Sequence, residues 1–414
     1  MNSWIEIPAN SDFTLHNIPF GIVQHTNKKV VATILGNTVI DLHALYNTGL
    51  LSTIYGLHGN VFSNNYINDF IALGKPITNA VRLRIIDLFN ETNTNAEHRT
   101  VLQRCLLNTN EVKQCMPVRI GDYTDFFSSI DHATNTGMMF RDPANALLPN
   151  WKHLPVGYHG RSSSIVESGV NFHRPKGQSK TDDQTMPSFA PCKTLDFELE
   201  MGFIIGKPTE LGDSITTGNA NEHIFGFCLF NDWSARDIQK WEYVPLGPFL
   251  GKNFFSSISP WIVTLEALAP FRVDSYEQTP QVLPYLAFEG QNNFDVNLQV
   301  YIQPENSTVK CVSESNFKYM YWNVNQQLAH HTINGCNVNV GDMMASGTIS
   351  GPEPTSYGSM LEISWGGKRA ITMNDGTERK FIHDNDTVIM RGYAEKNGVR
   401  VGFGEVKNKV LPAK

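Results

Sequence analysis

Three acids, Asp196, Glu198 and Glu200, occupy every second position of the run 193–203, and Leu195, Phe197, Leu199, Met201 and Phe203 alternate with them. A period of two reads as a strand with one apolar and one carboxylate face, its acids about 7 Å apart. Asp125 follows Tyr123 and Thr124, and Asp232 follows Phe230 and Asn231, so two more acids sit in aromatic, polar settings. Gathered in one place these groups would repel, a pair at ~4 Å by about 4 kcal/mol at an effective dielectric of 20. A cation removes that repulsion, and an all-oxygen donor set without Cys or His selects Ca²⁺, Mg²⁺ or Mn²⁺ over zinc. We therefore expect Asp125, Glu198, Glu200 and Asp232 to converge on one hard divalent ion. A solvated acidic surface is one competing reading. The other is a glycosidase-like carboxylate pair, which would leave two acids and Lys252 without a task.

Further residues could complete such a site. His132 lies seven positions after Asp125, near enough to serve a metal-bound substrate without being a ligand. The stretch 148–161 is a loop by its prolines and glycines and offers Tyr158, His159 and Arg161. A second apolar strand, 224–230, delivers Asp232, after which Ser234 is the expected cap of a helix with Arg236, Gln239, Lys240 and Tyr243 on one face. Lys252 follows two prolines and two glycines, a context that places a single ammonium group. The alternating run 359–365 puts Glu362 on a polar strand face, from which it could orient a histidine. The glycine-rich segment 341–354 lacks the Gly-Lys-Ser/Thr of a phosphate loop.

The elements that must carry these groups are mostly short strands. The chain has 414 residues, 41% hydrophobic and 18% charged, with 32 glycines and 21 prolines, which suits a globular protein of two domains. Its net charge of −7 and lack of any Lys/Arg run argue against nucleic acid as a partner. No stretch reaches the ~18 apolar residues of a membrane span, so we expect a cytoplasmic protein without membrane contact. Six cysteines without a CxxC pair read as free buried thiols. Residues 1–117 read as a small accessory domain and 118–414 as the catalytic one, divided near Met116-Pro117. In the first, a hairpin turns at Gly36-Asn37, Thr78 is the expected cap of a helix striped with Val81, Ile85, Leu88 and Phe89, and 90–99 reads as loop. In the second, Phe317, Met320, Tyr321, Val324 and Leu328 form a helical core stripe, and hairpins turn at Asp375-Gly376 and Asn397-Gly398.

The runs 196–200, 231–252 and 347–353, with the segment 148–161, closely resemble the fumarylacetoacetase (fumarylacetoacetate hydrolase) family, and the likeness extends more loosely through the amino-terminal part. The resemblance implies a mostly β fold: a small amino-terminal SH3-like barrel, then a larger mixed β-roll or sandwich, assembled as a homodimer. It implies hydrolysis of a carbon–carbon bond in fumarylacetoacetate, a small diketo acid, as the last step of tyrosine breakdown. Acylpyruvate hydrolysis is the nearest alternative within the wider superfamily. It assigns Asp125, Glu198, Glu200 and Asp232 to a Ca²⁺ or Mg²⁺ ion, His132 to the general base and Glu362 to its orientation. It gives Arg236, Gln239 and Lys252 to the developing negative charge, and Arg141, Tyr158, Gln239, Tyr243 and Thr348 to substrate. A second, peripheral cation would lie near Lys252 and Ser256. Phe127 stands where the family has a substrate-touching tyrosine, and Ser256 replaces a threonine while keeping its hydroxyl.

Overall fold

Apolar strands assemble into one mixed sheet of 13 strands that spans both halves of the chain. A computed structural model describes residues 1–93 and 95–414. Along the main path of that sheet run Leu106–Asn108, Thr38–Asp41, Lys28–Leu35 and Phe20–His25, and then Trp261–Thr264, Ile224–Asp232, Leu199–Ile205, Met343–Ala345, Tyr123–Phe126 and Gly157–His159. The crossing from the amino-terminal unit to the larger domain is antiparallel, with Phe20 opposite Ile262 and Gly21 opposite Trp261. A second sheet of five strands includes Asn297–Gln303, Thr387–Lys396 and Val399–Leu411. Between the two sheets lies a core that includes Phe227, Leu229, Leu298, Val300, Met390 and Val406. The fold is thus mostly β, an amino-terminal unit followed by a larger mixed-sheet domain.

Burial on both faces explains the central strands. Leu199–Ile205 and Ile224–Asp232 are buried at every position, so their near-continuous apolar sequence is what a doubly covered strand requires. Turns do what their residues demand: Asn397 and Gly398 both adopt positive φ, at 52° and 74°, and join two long strands.

Several sequence expectations are corrected. The acidic run is not one strand: Leu195–Asp196 pairs with Ser234–Ala235, the chain breaks step at Phe197 and Glu198, and Leu199–Ile205 joins the large sheet. Ser234 consequently lies in a strand, and the helix Arg236–Glu242 begins without a side-chain cap. Run 359–365 holds a short helix, Met360–Ile363, because the Ser359 side chain accepts from the Glu362 amide and starts a turn. The stripe beginning at Phe317 splits into a short 3₁₀ turn, Phe317–Tyr319, and the helix Val324–Thr332, whose start is fixed by an Asn323/Gln326 capping box. Thr78 is inside the helix Lys75–Phe89, and Asn95 caps a helix, Ala96–Leu102, within the stretch expected to be loop. Cys311 is exposed and Cys336 half-buried, while the other four thiols are buried as expected.

Candidate active site

Strand ends bring the acids together. Asp125 sits on Tyr123–Phe126, Glu200 on Leu199–Ile205 and Asp232 at the end of Ile224–Asp232, each at most 3% exposed. One carboxylate oxygen from each of these three lies within 4.8 Å of the others. Asp125 Oδ1 and Glu200 Oε1 are buried without a hydrogen-bond partner, whereas the other Glu200 oxygen accepts from the Gly347 amide at 3.0 Å. Burial, and then the neighbouring acids, push the Asp125 and Glu200 carboxyls far above the usual range. Orphaned oxygens on mutually repelling, all-oxygen donors are what a hard divalent cation would satisfy. The three residues fit such an ion.

Glu198 joins the group through basic residues. Lys252 Nζ donates to its Oε2 and, at 2.6 Å, to Asp232 Oδ2, while Arg236 Nη2 is 2.8 Å from Glu198 Oε1. Burial would raise the Glu198 pKa, but Arg236 and then Lys252 outweigh it and hold the group below the carboxylate range. Burial would likewise strip Lys252 of its proton, and Asp232 and Glu198 prevent this by holding its pKa above the ordinary lysine range. Asp232 takes two further donors, Tyr158 at Oδ2 and Ser256 at Oδ1, both at 3.0 Å, which leaves Oδ1 a free lone pair. A second cation near Lys252 and Ser256 would have to use carbonyl and hydroxyl oxygens, since an ammonium group has no lone pair.

A second polar cluster holds His132. It lies on the helix Ile130–Phe140, whose cap, Ser129, accepts from the His132 amide. Glu362 Oε2 stands 2.7 Å from His132 Nδ1 and also accepts from Ser350 at 2.8 Å and Ser359 at 2.9 Å, while Oε1 accepts from Asn135 at 2.9 Å. Burial alone would raise the Glu362 pKa; His132 and then these donors outweigh it, so the group titrates below its usual range. An ionised carboxylate can only accept, which assigns the His132 proton to Nδ1 and leaves Nε2 as the basic nitrogen. The Phe127 ring meets the imidazole edge-on at 5.2 Å between centroids. Glu198 and Ser359, which donates to Glu362, face each other in an isolated antiparallel bridge, so the two clusters adjoin.

The remaining expected contacts are more dispersed. Gln239 accepts from Arg236 Nη1 at 3.5 Å, and buried Thr348 directly follows the glycine that bonds Glu200. Exposed Arg141 donates to the Ala146 carbonyl, and Tyr243 is 50% exposed at the end of its helix. Asn135, Ser350 and Ser359, which hold Glu362, were not singled out from the sequence. Only Asn135 carries a local signal, three residues past His132 and hence on its helix face.

Residues 16–117 match the family model described as fumarylacetoacetase N-terminal, and residues 123–411 match fumarylacetoacetate (FAA) hydrolase C-terminal. The chain is 47% identical over 415 residues to fumarylacetoacetase of Homo sapiens, covering 99% of each chain. It is 49% identical over 421 residues to the Dictyostelium discoideum fumarylacetoacetase, covering 100% of this chain and 98% of that one. Among solved structures, a fumarylacetoacetate hydrolase from Exiguobacterium antarcticum shares the fold, with a TM-score of 0.53 at 18% identity over 96% of this chain and 100% of that one. Matched by both family models over most of its length and by relatives approaching half identity over nearly all of it, the chain belongs to the fumarylacetoacetate hydrolase family.

Proposed function

We propose that this protein hydrolyses the carbon–carbon bond of fumarylacetoacetate to fumarate and acetoacetate, the last step of tyrosine catabolism. The reading is carried by the buried His132–Glu362 pair, whose supporting Ser359 bridges to Glu198, together with a cluster of carboxylates suited to a cation, in a chain related along its whole length to fumarylacetoacetases. When bound to Asp125, Glu200 and Asp232, with Glu198 as a fourth acid, Ca²⁺ or Mg²⁺ would supply Lewis-acid polarisation of a diketone carbonyl. His132 takes a proton from water at Nε2, and Glu362 stabilises the imidazolium that results. The hydroxide so formed adds to the carbonyl carbon, and collapse of the adduct breaks the carbon–carbon bond, leaving its electron pair on the acetoacetate fragment. Arg236, Gln239 and Lys252 stabilise this negative charge, and protonation from His132 completes release. Arg141, Tyr158, Tyr243 and Thr348 hold the substrate, while Phe127 packs on the imidazole without offering a hydroxyl. A cytoplasmic homodimer goes with this reading, and light scattering of the purified protein tests the dimer. Turnover of fumarylacetoacetate by that protein, with and without divalent ion, tests the activity. Clear preference for a short acylpyruvate, or full activity after thorough chelation, would defeat it.

A further inference from the structure

Asp196 belongs to the same acidic row as Glu198 and Glu200, yet its oxygens are spent elsewhere. It is completely buried, on the short strand Leu195–Asp196, opposite Ser234. Oδ1 accepts from the Met360 amide at 2.7 Å, and Oδ2 accepts from the Leu361 amide at 3.0 Å and from Arg236 Nε at 2.9 Å. Met360 and Leu361 are the first two residues of the helix Met360–Ile363, and Glu362 is the third. The Ser359 hydroxyl satisfies the Glu362 amide, so Asp196 supplies acceptors for the two donors that a helix start otherwise leaves open. On its other side, Asp196 holds the first residue of Arg236–Glu242, and Arg236 Nη2 reaches on to Glu198. Burial pushes the Asp196 pKa up, against the pull of Arg236 and the Leu361 amide. Nothing else among the described hydrogen bonds joins those two short helices through one side chain.

We infer that Asp196 is a positioning residue that fixes the separation between the base-orienting carboxylate, Glu362, and the charge-stabilising guanidinium, Arg236. This rests on the hydrolytic reading given above. Because Asp196 has no role at the reacting atoms, its loss acts on catalysis through the geometry of two other groups. Those groups act chiefly in the transition state, so kcat carries the effect and KM does not.

The test is Asp196→Asn in the full-length, ion-loaded protein. The amide keeps the shape but turns one acceptor into a donor, so the two helix amides and the guanidinium cannot all be satisfied. We expect kcat to fall by about 10–100-fold, the range seen when the support of a site residue is removed, with KM little changed. In a Glu362→Gln background the same substitution should lose the part of its effect that runs through Glu362 and keep only the part that runs through Arg236, so its fold-loss should be clearly smaller. Amide hydrogen exchange at Met360 and Leu361 should speed up at least tenfold in Asp196→Asn. An unchanged kcat, or equal fold-losses in both backgrounds, would overturn the inference. If Asp196→Asn does not fold, Asp196→Glu, which keeps the charge but lengthens the arm, gives the same decision on kcat and coupling. Failure of the wild type to hydrolyse fumarylacetoacetate would instead defeat the activity reading. Exchange at the two amides then still decides whether Asp196 holds that helix, and unchanged exchange would overturn the inference there too.

Discussion

His132 and its neighbour Asp131 show how sharply one residue's surroundings set its chemistry. The histidine is bonded at Nδ1 to Glu362, which has three other donors and therefore keeps its place if the ring is removed. His132→Ala should lower kcat by about 10²–10⁴-fold, the usual worth of a general base, with the folded spectrum unchanged. Wild-type turnover in that variant would remove His132 from the mechanism. Asp131 has the opposite fate: Oδ2 is buried without a partner, and burial, then the Glu362 charge, push its pKa up to about 6. The folded state thus binds the proton more tightly than the unfolded chain, whose value is near 3.8. This contribution to stability is complete below that value and is lost as pH rises through the folded pKa. Asp131→Asn should raise Tm in alkaline buffer and leave it nearly unchanged in acid where the wild-type group is protonated. Equal shifts at both pH values would contradict this account.

The helix Ile130–Phe140 has no room for a side chain at Gly137. A Cβ added at Gly137 would lie 2.0 Å from the Ala146 carbonyl oxygen, so the glycine is there to let the following loop cross the helix closely. Alanine normally gains about 1 kcal/mol over glycine inside a helix. Here the collision with backbone outweighs that gain, and Gly137→Ala should destabilise by about 1–3 kcal/mol, as overpacking does. Urea denaturation reads the sign, and a stabilised variant would mean that the loop yields freely. The helix Met360–Ile363 is too short to hold itself, and burial of Met360, Leu361 and Glu362 is joined by the side chains of Ser359 and Asp196, which satisfy its first amides.

At the scale of the whole molecule, the two halves share both sheet and core. Phe20 and Phe70 of the amino-terminal unit pack on each other at 4.8 Å between centroids and each meets Phe225 of the larger domain at 6.3 Å. Calorimetry should therefore show one unfolding transition rather than two, and residues 118–414 expressed alone should not reach a folded, monodisperse state. Two separated transitions would show that the units are energetically independent. Ca²⁺ or Mg²⁺ should raise Tm progressively with concentration, by about 2.7 kcal/mol of stability at a hundredfold excess over Kd, and Asp125→Asn should remove most of that response. A Tm indifferent to either ion would leave the Asp125, Glu200 and Asp232 oxygens without the cation inferred for them.

The sequence by itself determined the chemistry on offer: which carboxylates could gather, that no soft ligand competes with them, and where Asn397-Gly398 must turn. Those features depend on residue type and short spacing, so they are present before folding. Period two also marked Asp196, Glu198 and Glu200 as a set, but only tertiary structure separated their tasks. Asp196 went to a helix start, Glu198 to Lys252 and Arg236, and Glu200 to the carboxylate cluster. Local pattern failed at Ser234 because a distant strand, Leu195–Asp196, paired with it, and at 359–365 because the Ser359 cap was joined by the distant Asp196 carboxylate in satisfying the helix's first amides. Burial of the acids was decided in the same way, since the groups that close over Asp232, namely Tyr158, Lys252 and Ser256, come from segments outside any one short window of sequence.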